Sequence, residues 1–279
     1  SLVPAFVISV AMAASGGASA ALLFSENFEG HANGATVQTA NGWTGGNVNV
    51  NDSTHFGGSR VLDGTDATGT VDGFGFIERN LGGTLAGSGI HTMSVDVYGQ
   101  TSSLPSHNNG MGLSASGGAN AFSGGAYWSV LYDLNNISGN TGYIFDARNI
   151  TGGASDFFLL NGPFNSIQTM EIVLDGLAGE VYGVYDFGGG ATQTTHYAVT
   201  AAQIAAIDQV FGFFDFRSAN PGGTFASTGL GTQFGGAQWD NISVTGTFAA
   251  IPEPSLAVLF GLGIAGLAGA RRYKSANAG

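Results

Sequence analysis

The sequence predicts an all-β fold in which two antiparallel sheets pack as a sandwich, with one short helix. Segments of alternating apolar and polar residues recur along the chain, and Gly, Asn, Ser and Asp dominate the connections between them. Glycine supplies 48 of the 279 residues, which suits many tight turns and β-bulges. No alternation of strands and helices indicates a parallel sheet.

The composition excludes several classes of protein. The chain has no cysteine, so it has no disulfide scaffold, zinc–thiolate site or thiol nucleophile. Acidic residues outnumber basic ones 19 to 7, and a net charge of −12 argues against a nucleic-acid partner. Hydrophobic residues make up 43%, with 20 Phe, so the chain can build a core.

The strongest strand patterns lie in the middle of the chain. Met93, Val95 and Val97 fall on one face of the segment 91–97. The segment 169–175 alternates in the same way, and 180–186 follows it at hairpin spacing. Further strands are predicted at 22–29, 48–51, 74–78, 126–134, 143–148, 157–161, 197–200, 210–217 and 238–247.

One segment has helical rather than strand spacing. Thr200 and Gln203 form a capping-box pattern, and Ile204 and Ile207 are three residues apart. This predicts a short helix over 201–208 that crosses between the sheets. The aromatic segment 210–216 follows it, and we expect this strand to lie centrally in the core.

The N-terminus has the pattern of a secretory signal peptide. An apolar stretch at 2–14 precedes small residues at 15–20, and Ala18 and Ala20 fit a cleavage site after Ala20. Because no basic residue precedes this stretch, we expect that the front of the signal is truncated. The alternative is a buried N-terminal strand or helix.

The C-terminus has three consecutive parts. Pro252, Glu253 and Pro254 come first, and an uncharged run at 255–270 follows. As a helix this run would be about 24 Å long, a minimal transmembrane span if the bilayer thins. The basic residues that follow this run would stay on the cytoplasmic side, so the body would lie on the opposite side of the membrane. These residues are Arg271, Arg272 and Lys274.

This end resembles the PEP-CTERM sorting signal of Gram-negative bacteria, in the order and spacing of its three parts. The resemblance covers residues 251–274 and implies three things: an exosortase that removes the tail, a host that makes exopolysaccharide, and a mature protein at the cell surface or in the biofilm matrix. The alternative is a single-span anchor that is never cut. The chain thus divides into a signal peptide (1–20), a β-sandwich body (21–250) and a sorting signal (251–274).

The two ends of the body carry a second resemblance. The segments 23–30 and 239–244 are similar to the first and last strands of concanavalin-like, laminin G-like jelly rolls, in which these strands lie close together. The resemblance implies an antiparallel jelly-roll sandwich, and we expect twelve to fourteen strands.

No catalytic motif is present in the body, and no catalytic residue is predicted. The five histidines are scattered, so each is expected at the surface or at a strand edge. Glycosidases of the same broad fold need carboxylates clustered on one strand face. Glu171 and Asp175 share a face, as do Glu180 and Asp186, but no third acid joins either pair.

Calcium is the cofactor that the acidic loops favour, because hard cations take several carboxylate and carbonyl oxygens. The alternative is that these loops are ordinary acidic turns. The candidate ligands are Asp63, Asp66, Asp72, Asp133 and Asn135.

Aromatic residues suggest a glycan-binding face, since sugar rings stack on aromatic rings. Trp43, Trp128 and Tyr132 are the main candidates, with Tyr143 and Trp239 beside them. The alternative is that these rings fill the core. We therefore expect a non-catalytic module that associates with exopolysaccharide. The competing hypotheses are a structural matrix protein without a specific ligand and a glycan-active hydrolase.

Overall fold

A computed structural model describes residues 20–37, 42–46, 48–63, 74–99, 107–115, 127–134, 141–148, 156–160, 163, 165–215 and 237–249. Contacts divide the chain into two compact units, Ser1–Phe248 and Ala249–Gly279, and the description below concerns the first.

The described residues form seventeen strands and one helix. In chain order these are β1 (Ala21–Glu26), β2 (Ala35–Thr36), β3 (Trp43–Gly46), β4 (Asn49–Asp52), β5 (Arg60–Asp63), β6 (Phe74–Asn80), β7 (Ile90–Gly99), β8 (His107–Ala115), β9 (Tyr127–Leu134), β10 (Thr141–Arg148), β11 (Asp156–Leu160), β12 (Ile167–Asp175), β13 (Glu180–Tyr185), β14 (Thr192–Gln193), β15 (Tyr197–Ala198), α1 (Ala201–Ala205), β16 (Ile207–Asp215) and β17 (Ala237–Gly246).

The strands build two antiparallel sheets. Sheet A has the order β14-β13-β12-β7-β17-β5-β4-β2, and β1 and β15 add to it beside β17 and β13. Sheet B has the order β11-β10-β9-β8-β16-β6-β3. The first and last strands, β1 and β17, pair antiparallel, as the jelly-roll resemblance implies. The predicted two-sheet, antiparallel all-β fold is confirmed.

Alternation of side chains places one face of each sheet in a common core. Met93, Val95 and Val97 of β7 are at most 1% exposed, and Met170 and Ile172 of β12 lie beside them. Each such side chain contributes about 1.5–3 kcal/mol when it is buried. The core is therefore the main source of the sandwich's stability.

Gly183 of β13 brings the two sheets close together. A Cβ atom at this position would lie 3.1 Å from the ring of Phe145, a fully buried residue of β10. The missing side chain leaves room for that ring, which also stacks on Tyr197 with 6.0 Å between ring centroids.

The helix forms where the capping box predicts it. The Thr200 side chain accepts a hydrogen bond from the Gln203 N–H, and Gln203 Oε1 accepts one from the Thr200 N–H. The predicted end at 208 is wrong. The helix ends at Ala205 because Ile207 already begins β16, where it pairs with Ala115 of β8.

All twelve predicted strands occur, but the expected total of twelve to fourteen is too low. Five strands were not predicted from the sequence, and four of them are only two to four residues long. The fifth, β8, is rich in glycine and polar residues and lies inside sheet B. The prediction of a central aromatic strand is confirmed, because β16 lies between β8 and β6 and its Val210 and Phe211 are fully buried.

The two predicted end signals lie outside the described residues. The signal peptide (1–20) has only Ala20 within them, and the sorting signal (251–274) has no residue there. In the described part of the chain, none of the helical structure is long and apolar enough to cross a membrane. The signal peptide, the sorting motif and the transmembrane helix therefore stay predictions.

Candidate functional site

The outer face of sheet A, turned away from the core, carries a regular set of small hydroxyl groups. Ser25 of β1, Ser243 of β17 and Ser94 of β7 are register partners in one row across three strands. Thr245 and Thr92 pair in the next row. We call this surface the hydroxyl face; it comprises Ser25, Thr92, Ser94, Thr169, Ser243 and Thr245. All six are partly or fully exposed.

A β-bulge in β17 interrupts these rows. Three steps along β17, from Asp240 to Ser243, match only two steps along β7, from Asp96 to Ser94. The extra residue is Asn241, which has a left-handed backbone with φ of 51°. The bulge lets two consecutive side chains, Asp240 and Asn241, reach the outer face, whereas a regular strand would turn one of them inward.

Asp96 accepts hydrogen bonds at both of its carboxylate oxygens. The Thr169 hydroxyl donates to Oδ1 at 2.6 Å, and Asn241 Nδ2 donates to Oδ2 at 2.9 Å. These contacts connect β12, β7 and β17 and fix the direction of the Asp96 carboxylate. The hydroxyl face thus contains a preorganised acceptor.

Asp240 is the register partner of Asp96 and is only 3% exposed. Burial, together with the charges of Glu29, Asp96 and Glu26, raises the pKa of Asp240 from 3.8 to about 7, and the hydrogen bond from the N–H of Asn241 opposes this shift. That N–H donates to Oδ1 at 2.8 Å, so the nearly buried carboxyl has a backbone partner.

A polar pocket of about 330 Å³ lies along the pairing of β1 with β17. It is lined by Ser25, Glu26, Asn27, Asn241, Ile242 and Ser243. Hydroxyl and amide groups of this kind can both donate and accept hydrogen bonds, as the hydroxyl groups of a sugar require. The pocket continues the hydroxyl face where β1 pairs with β17.

A buried polar network fixes the chain next to the pocket. The Glu26 side chain is 8% exposed, and its Oε2 accepts from Arg79 Nη1 at 2.7 Å and from Trp43 Nε1 at 3.2 Å. Its Oε1 accepts from the N–H of Phe28, whose φ of 58° is unusual for a bulky residue. Glu26 thereby holds the turn that follows β1.

The structure places two of the predicted glycan-binding aromatics in the core. Trp43 is 2% exposed and lies against the rings of Phe24 and Phe28, and Trp239 is fully buried. Trp128, Tyr132 and Tyr143 lie in β9 and β10, where the backbone is described but these side chains are not. Trp128 pairs in register with Leu113, and Tyr132 pairs with both Asn109 and Tyr143.

The predicted calcium ligands fall mostly outside the described part of the chain. Asp66, Asp72 and Asn135 are not described, and only the backbone is described for Asp63 and Asp133. Asp63 pairs with Asn49 of β4 and with Gln238 of β17. Among the side chains that are described, no group of three or more His, Asp or Glu could hold a metal ion.

Two histidines, His31 and His91, are buried, which corrects the expectation that each histidine lies at the surface or at a strand edge. His91 Nε2 lies 2.8 Å from the carbonyl oxygen of Ala86, and the N–H of Thr247 donates to Nδ1. Burial lowers the pKa of His91, because the interior disfavours the charged ring. His31 is 1% exposed, and its Nε2 lies 3.7 Å from Glu26 Oε2.

The site contains four residues that the sequence did not predict: Asp96, Thr169, Asp240 and Asn241. A signal for Asp96 is present, because it lies on the polar face of the alternating segment 91–97. No sequence signal indicates the bulge. Without the bulge, regular alternation would place only one of Asp240 and Asn241 on the outer face.

Comparisons with known proteins identify the fold. No family model matches the chain, and no curated protein matches it. Basic winged bean lectin, solved with the Tn antigen, matches 83% of this chain and 100% of its own at 11% identity, with a TM-score of 0.54. An endo-1,3-β-glucanase from Streptomyces sioyaensis matches 85% of this chain and 99% of its own at 16% identity, with a TM-score of 0.52.

A third solved structure, winged bean acidic lectin complexed with methyl-α-D-galactose, matches 81% of this chain and 99% of its own at 10% identity, with a TM-score of 0.50. These matches show that the chain has a concanavalin-like jelly-roll fold, as the ends of the body predicted. Proteins with this fold include both lectins and a glucanase, so the residues of the site must decide the function.

Proposed function

We propose that this chain is a secreted surface or biofilm-matrix protein whose body associates with exopolysaccharide without catalysing a reaction. The observation that carries this proposal is the hydroxyl face, with its adjoining polar pocket, on a lectin-like sandwich. Lectins of similar fold have been solved with carbohydrate ligands. Hydroxyl, amide and carboxylate groups on one rigid sheet are suited to the hydroxyl groups of a polysaccharide.

The route to the surface is proposed from the two ends of the sequence. The N-terminal signal directs export, and an exosortase recognises Pro252, Glu253 and Pro254. The precursor is held in the inner membrane until its tail is removed, and the body is then released to the cell surface. Arg271, Arg272 and Lys274 keep the tail on the cytoplasmic side.

Two further parts of the proposal concern residues whose side chains are not described. Trp128 and Tyr132 remain candidates for stacking on sugar rings, whereas the burial of Trp43 speaks against it as a stacking residue. Calcium remains the proposed ion for the loops that contain Asp63, Asp66, Asp72, Asp133 and Asn135.

Glycan hydrolysis is a second candidate function, favoured by one observation. Asp240 and Asp96 are register partners on the neighbouring strands β17 and β7, and burial is the main cause that raises the pKa of Asp240 to about 7, the range of a general acid. Only 3% of Asp240 is exposed, which limits its contact with a substrate. For this reason we favour binding over hydrolysis.

An array of oligosaccharides tests the proposed function. The array carries neutral hexose, N-acetylated hexosamine, free-amine hexosamine and uronate chains, and it is probed with the full-length protein. Retention on at least one class, without release of new reducing ends from that class, supports a non-catalytic binder. Release of reducing ends supports the hydrolase, and retention on no class supports a purely structural protein.

A further inference from the structure

The Ser53 side chain contacts a part of the body that is far away in sequence. Ser53 follows β4 and precedes the turn that leads to β5, and Gln238 lies in the last strand, β17. The Ser53 hydroxyl donates to Oε1 of Gln238 at 2.5 Å, across 185 positions of the chain. This distance is at the short end of the range for O–H···O bonds, so the hydroxyl oxygen lies close to the amide carbon of Gln238.

The contact between Ser53 and Gln238 is closed to solvent. Ser53 is 1% exposed and Gln238 is 4% exposed. In the turn that follows Ser53, the ring of His55 stacks on Tyr98 with 3.8 Å between ring centroids. Tyr98 is the register partner of Gln238, so this turn lies over the outer face of sheet A at β7 and β17. Water is thereby kept away from the two side chains.

Backbone groups fix the position of the Ser53 oxygen. The N–H groups of His55 and Phe56 donate to Oγ at 3.2 and 3.4 Å. With these two donors on Oγ, its own proton is directed to Gln238. The same N–H groups would stabilise the negative charge that the oxygen gains when its proton leaves. Ser53 thus has the arrangement of a nucleophile that is held against a carbonyl group.

An imidazole lies beside this contact. Its Nε2, in His55, is buried and has no hydrogen-bond partner among the described residues. The ring packs on Tyr98, next to Gln238 in the sheet, and belongs to the second residue after Ser53. An unpaired ring nitrogen in the interior costs free energy. Histidine is also the side chain that most often transfers protons in proteins.

We propose that the side chains of Ser53 and Gln238 form a covalent ester bond, which cross-links β17 to the turn between β4 and β5. Oγ of Ser53 attacks the amide carbon Cδ of Gln238, so that the Oγ–Cδ bond forms and the Cδ–Nε2 bond breaks. His55 Nε2 takes the hydroxyl proton and passes it to the leaving nitrogen, which departs as ammonia. The reaction needs no oxidant and no other reactant. Burial then protects the ester from hydrolysis.

The composition of the body leaves few other ways to cross-link it. The chain has no cysteine, and between residues 21 and 250 it has no lysine, so neither a disulfide nor an amide bond from a lysine side chain can form there. An ester between Ser53 and Gln238 would restrict the unfolded chain and so stabilise the fold. It would also carry tension directly between the two ends of the body. The inference does not depend on glycan binding.

Peptide mass spectrometry of the full-length protein tests the proposal. Trypsin cleaves after Arg60 and Arg217, so Ser53 and Gln238 fall in separate peptides unless the ester joins them. We expect one joined peptide, with the summed mass of the two peptides less one ammonia, about 17 Da. Hydroxylamine, which cleaves esters, should separate the two peptides and leave a hydroxamate at Gln238.

Substitutions locate the bond. Ser53→Ala removes the nucleophile, and Gln238→Glu replaces the amide by a carboxylate, which a hydroxyl does not attack; each should give two separate peptides without loss of ammonia. Ser166→Ala is the matched control, because Ser166 also contacts a glutamine but accepts from its nitrogen, Gln168 Nε2, at 2.8 Å. This control should keep the joined peptide. Circular dichroism checks that each variant is folded.

His55→Phe tests the proton path while it keeps an aromatic ring on Tyr98. The joined fraction is followed after protein recovered unfolded from inclusion bodies is diluted into folding buffer. The wild-type rate should fall as the pH is lowered from about 8 to about 5, because a protonated imidazole cannot take the hydroxyl proton. In His55→Phe the rate at the higher pH should be at least about tenfold lower, and this pH dependence should be absent.

Other titratable groups lie at the same place in the fold. Tyr98 lies under the ring of His55, Asp63 is a register partner of Gln238, and Asp240 lies two residues further along β17. Asp240 has a pKa of about 7 and titrates in the range of the experiment. A pH dependence that survives in His55→Phe would therefore overturn the proton path through His55 and assign it to a carboxyl.

Two results would overturn the cross-link itself. The first is a wild type that gives two separate peptides of undiminished mass. The second is a loss of ammonia that persists in Ser53→Ala, because the reaction would then occur elsewhere in the chain. Neither result bears on the proposed function, since the oligosaccharide array measures glycan binding and hydrolysis alone.

Discussion

The carboxylate of Glu26 and the guanidinium of Arg79 join the two sheets of the sandwich, with 2.7 Å between Oε2 and Nη1. Glu26 ends β1 in sheet A, and Arg79 belongs to β6 in sheet B. The Arg79 guanidinium also lies over the ring of Phe24, 5.1 Å from its centroid. The ion pair between Glu26 and Arg79 fixes the end of β1. The residues on either side of Glu26, Ser25 and Asn27, line the polar pocket.

Glu26→Gln should lower the free energy of unfolding by about 2 kcal/mol, because it leaves Arg79 without a charged partner at a mostly buried position. Urea unfolding measures this loss. The matched control is Asp52→Asn, which weakens the exposed pair of Asp52 with Arg60 and should cost less than about 1 kcal/mol. Equal losses in the two variants would contradict the role of Glu26 as a link between the sheets.

The pKa of Asp240, raised to about 7, predicts a characteristic pH dependence of stability. Between about pH 4 and 7 the folded protein holds a proton that the unfolded chain releases. The contribution of Asp240 is therefore full below pH 4 and decreases as the pH rises through 7. Asp240→Asn mimics the protonated group, so it should stabilise the protein at pH 8 by on the order of 2 kcal/mol.

Urea unfolding at pH 4.5, 6 and 8 measures this difference between the wild type and Asp240→Asn. Asp186→Asn serves as the control, because Asp186 is exposed and an asparagine can still accept from the N–H groups of Gly188 and Gly190. A constant difference between wild type and Asp240→Asn across this pH range would show that Asp240 titrates normally.

Gly45 should tolerate substitution far less than Gly34, although both have positive φ, of 120° and 75°. A Cβ atom at Gly45 would collide with the backbone of Phe76 in the neighbouring strand β6, whereas Gly34 has open space around the same position. Gly34→Ala should cost about 1 kcal/mol from backbone strain alone. Gly45→Ala should cost at least about 3 kcal/mol, because steric overlap adds to the strain.

Thermal unfolding of both variants measures these costs. Similar melting temperatures for Gly45→Ala and Gly34→Ala would mean that β3 can move away from β6 without penalty. The tight pairing of Gly45 with Ile77 would then not be needed for the fold.

Calcium should raise the melting temperature if the acidic loops bind it, since a ligand that binds only the folded state stabilises that state. Scans with millimolar Ca²⁺, with Mg²⁺ and with chelator measure this effect. Asp66→Ala should abolish the increase and Asp186→Ala should retain it. A melting temperature that is identical in Ca²⁺ and in chelator would remove the calcium proposal.

The strands that the sequence predicted best are those whose side chains alternate between core and solvent, such as β7 and β12. Local chemistry also identified the helix, because Thr200 and Gln203 are neighbours in the chain. The strand β8 could not be identified in this way. Its sequence, His107–Ala115, has weak strand propensity, and its place comes from pairing with β9 and β16.

The site was harder to predict because its parts are distant in sequence. Asn241 and Asp96 are 145 residues apart, and their contact depends on the bulge in β17. Buried His91 was missed for a similar reason, since its ring is satisfied by backbone groups of Ala86 and Thr247 that only the fold brings to it. Composition predicted an excess of acidic residues, but it did not predict that Asp240 and Asp96 would be register partners.

A substitution on the hydroxyl face tests the central claim, that this face binds glycan, most directly. Ser94 pairs with Ser243 and Glu171 at the centre of the face, so Ser94→Arg would cover it. Ala202→Arg makes the same change of charge on the exposed surface of α1. The measurement is retention of each full-length variant on the oligosaccharide that retains the wild type. We predict that Ser94→Arg loses at least about tenfold in affinity and that Ala202→Arg retains it; equal retention of the two variants would contradict the claim.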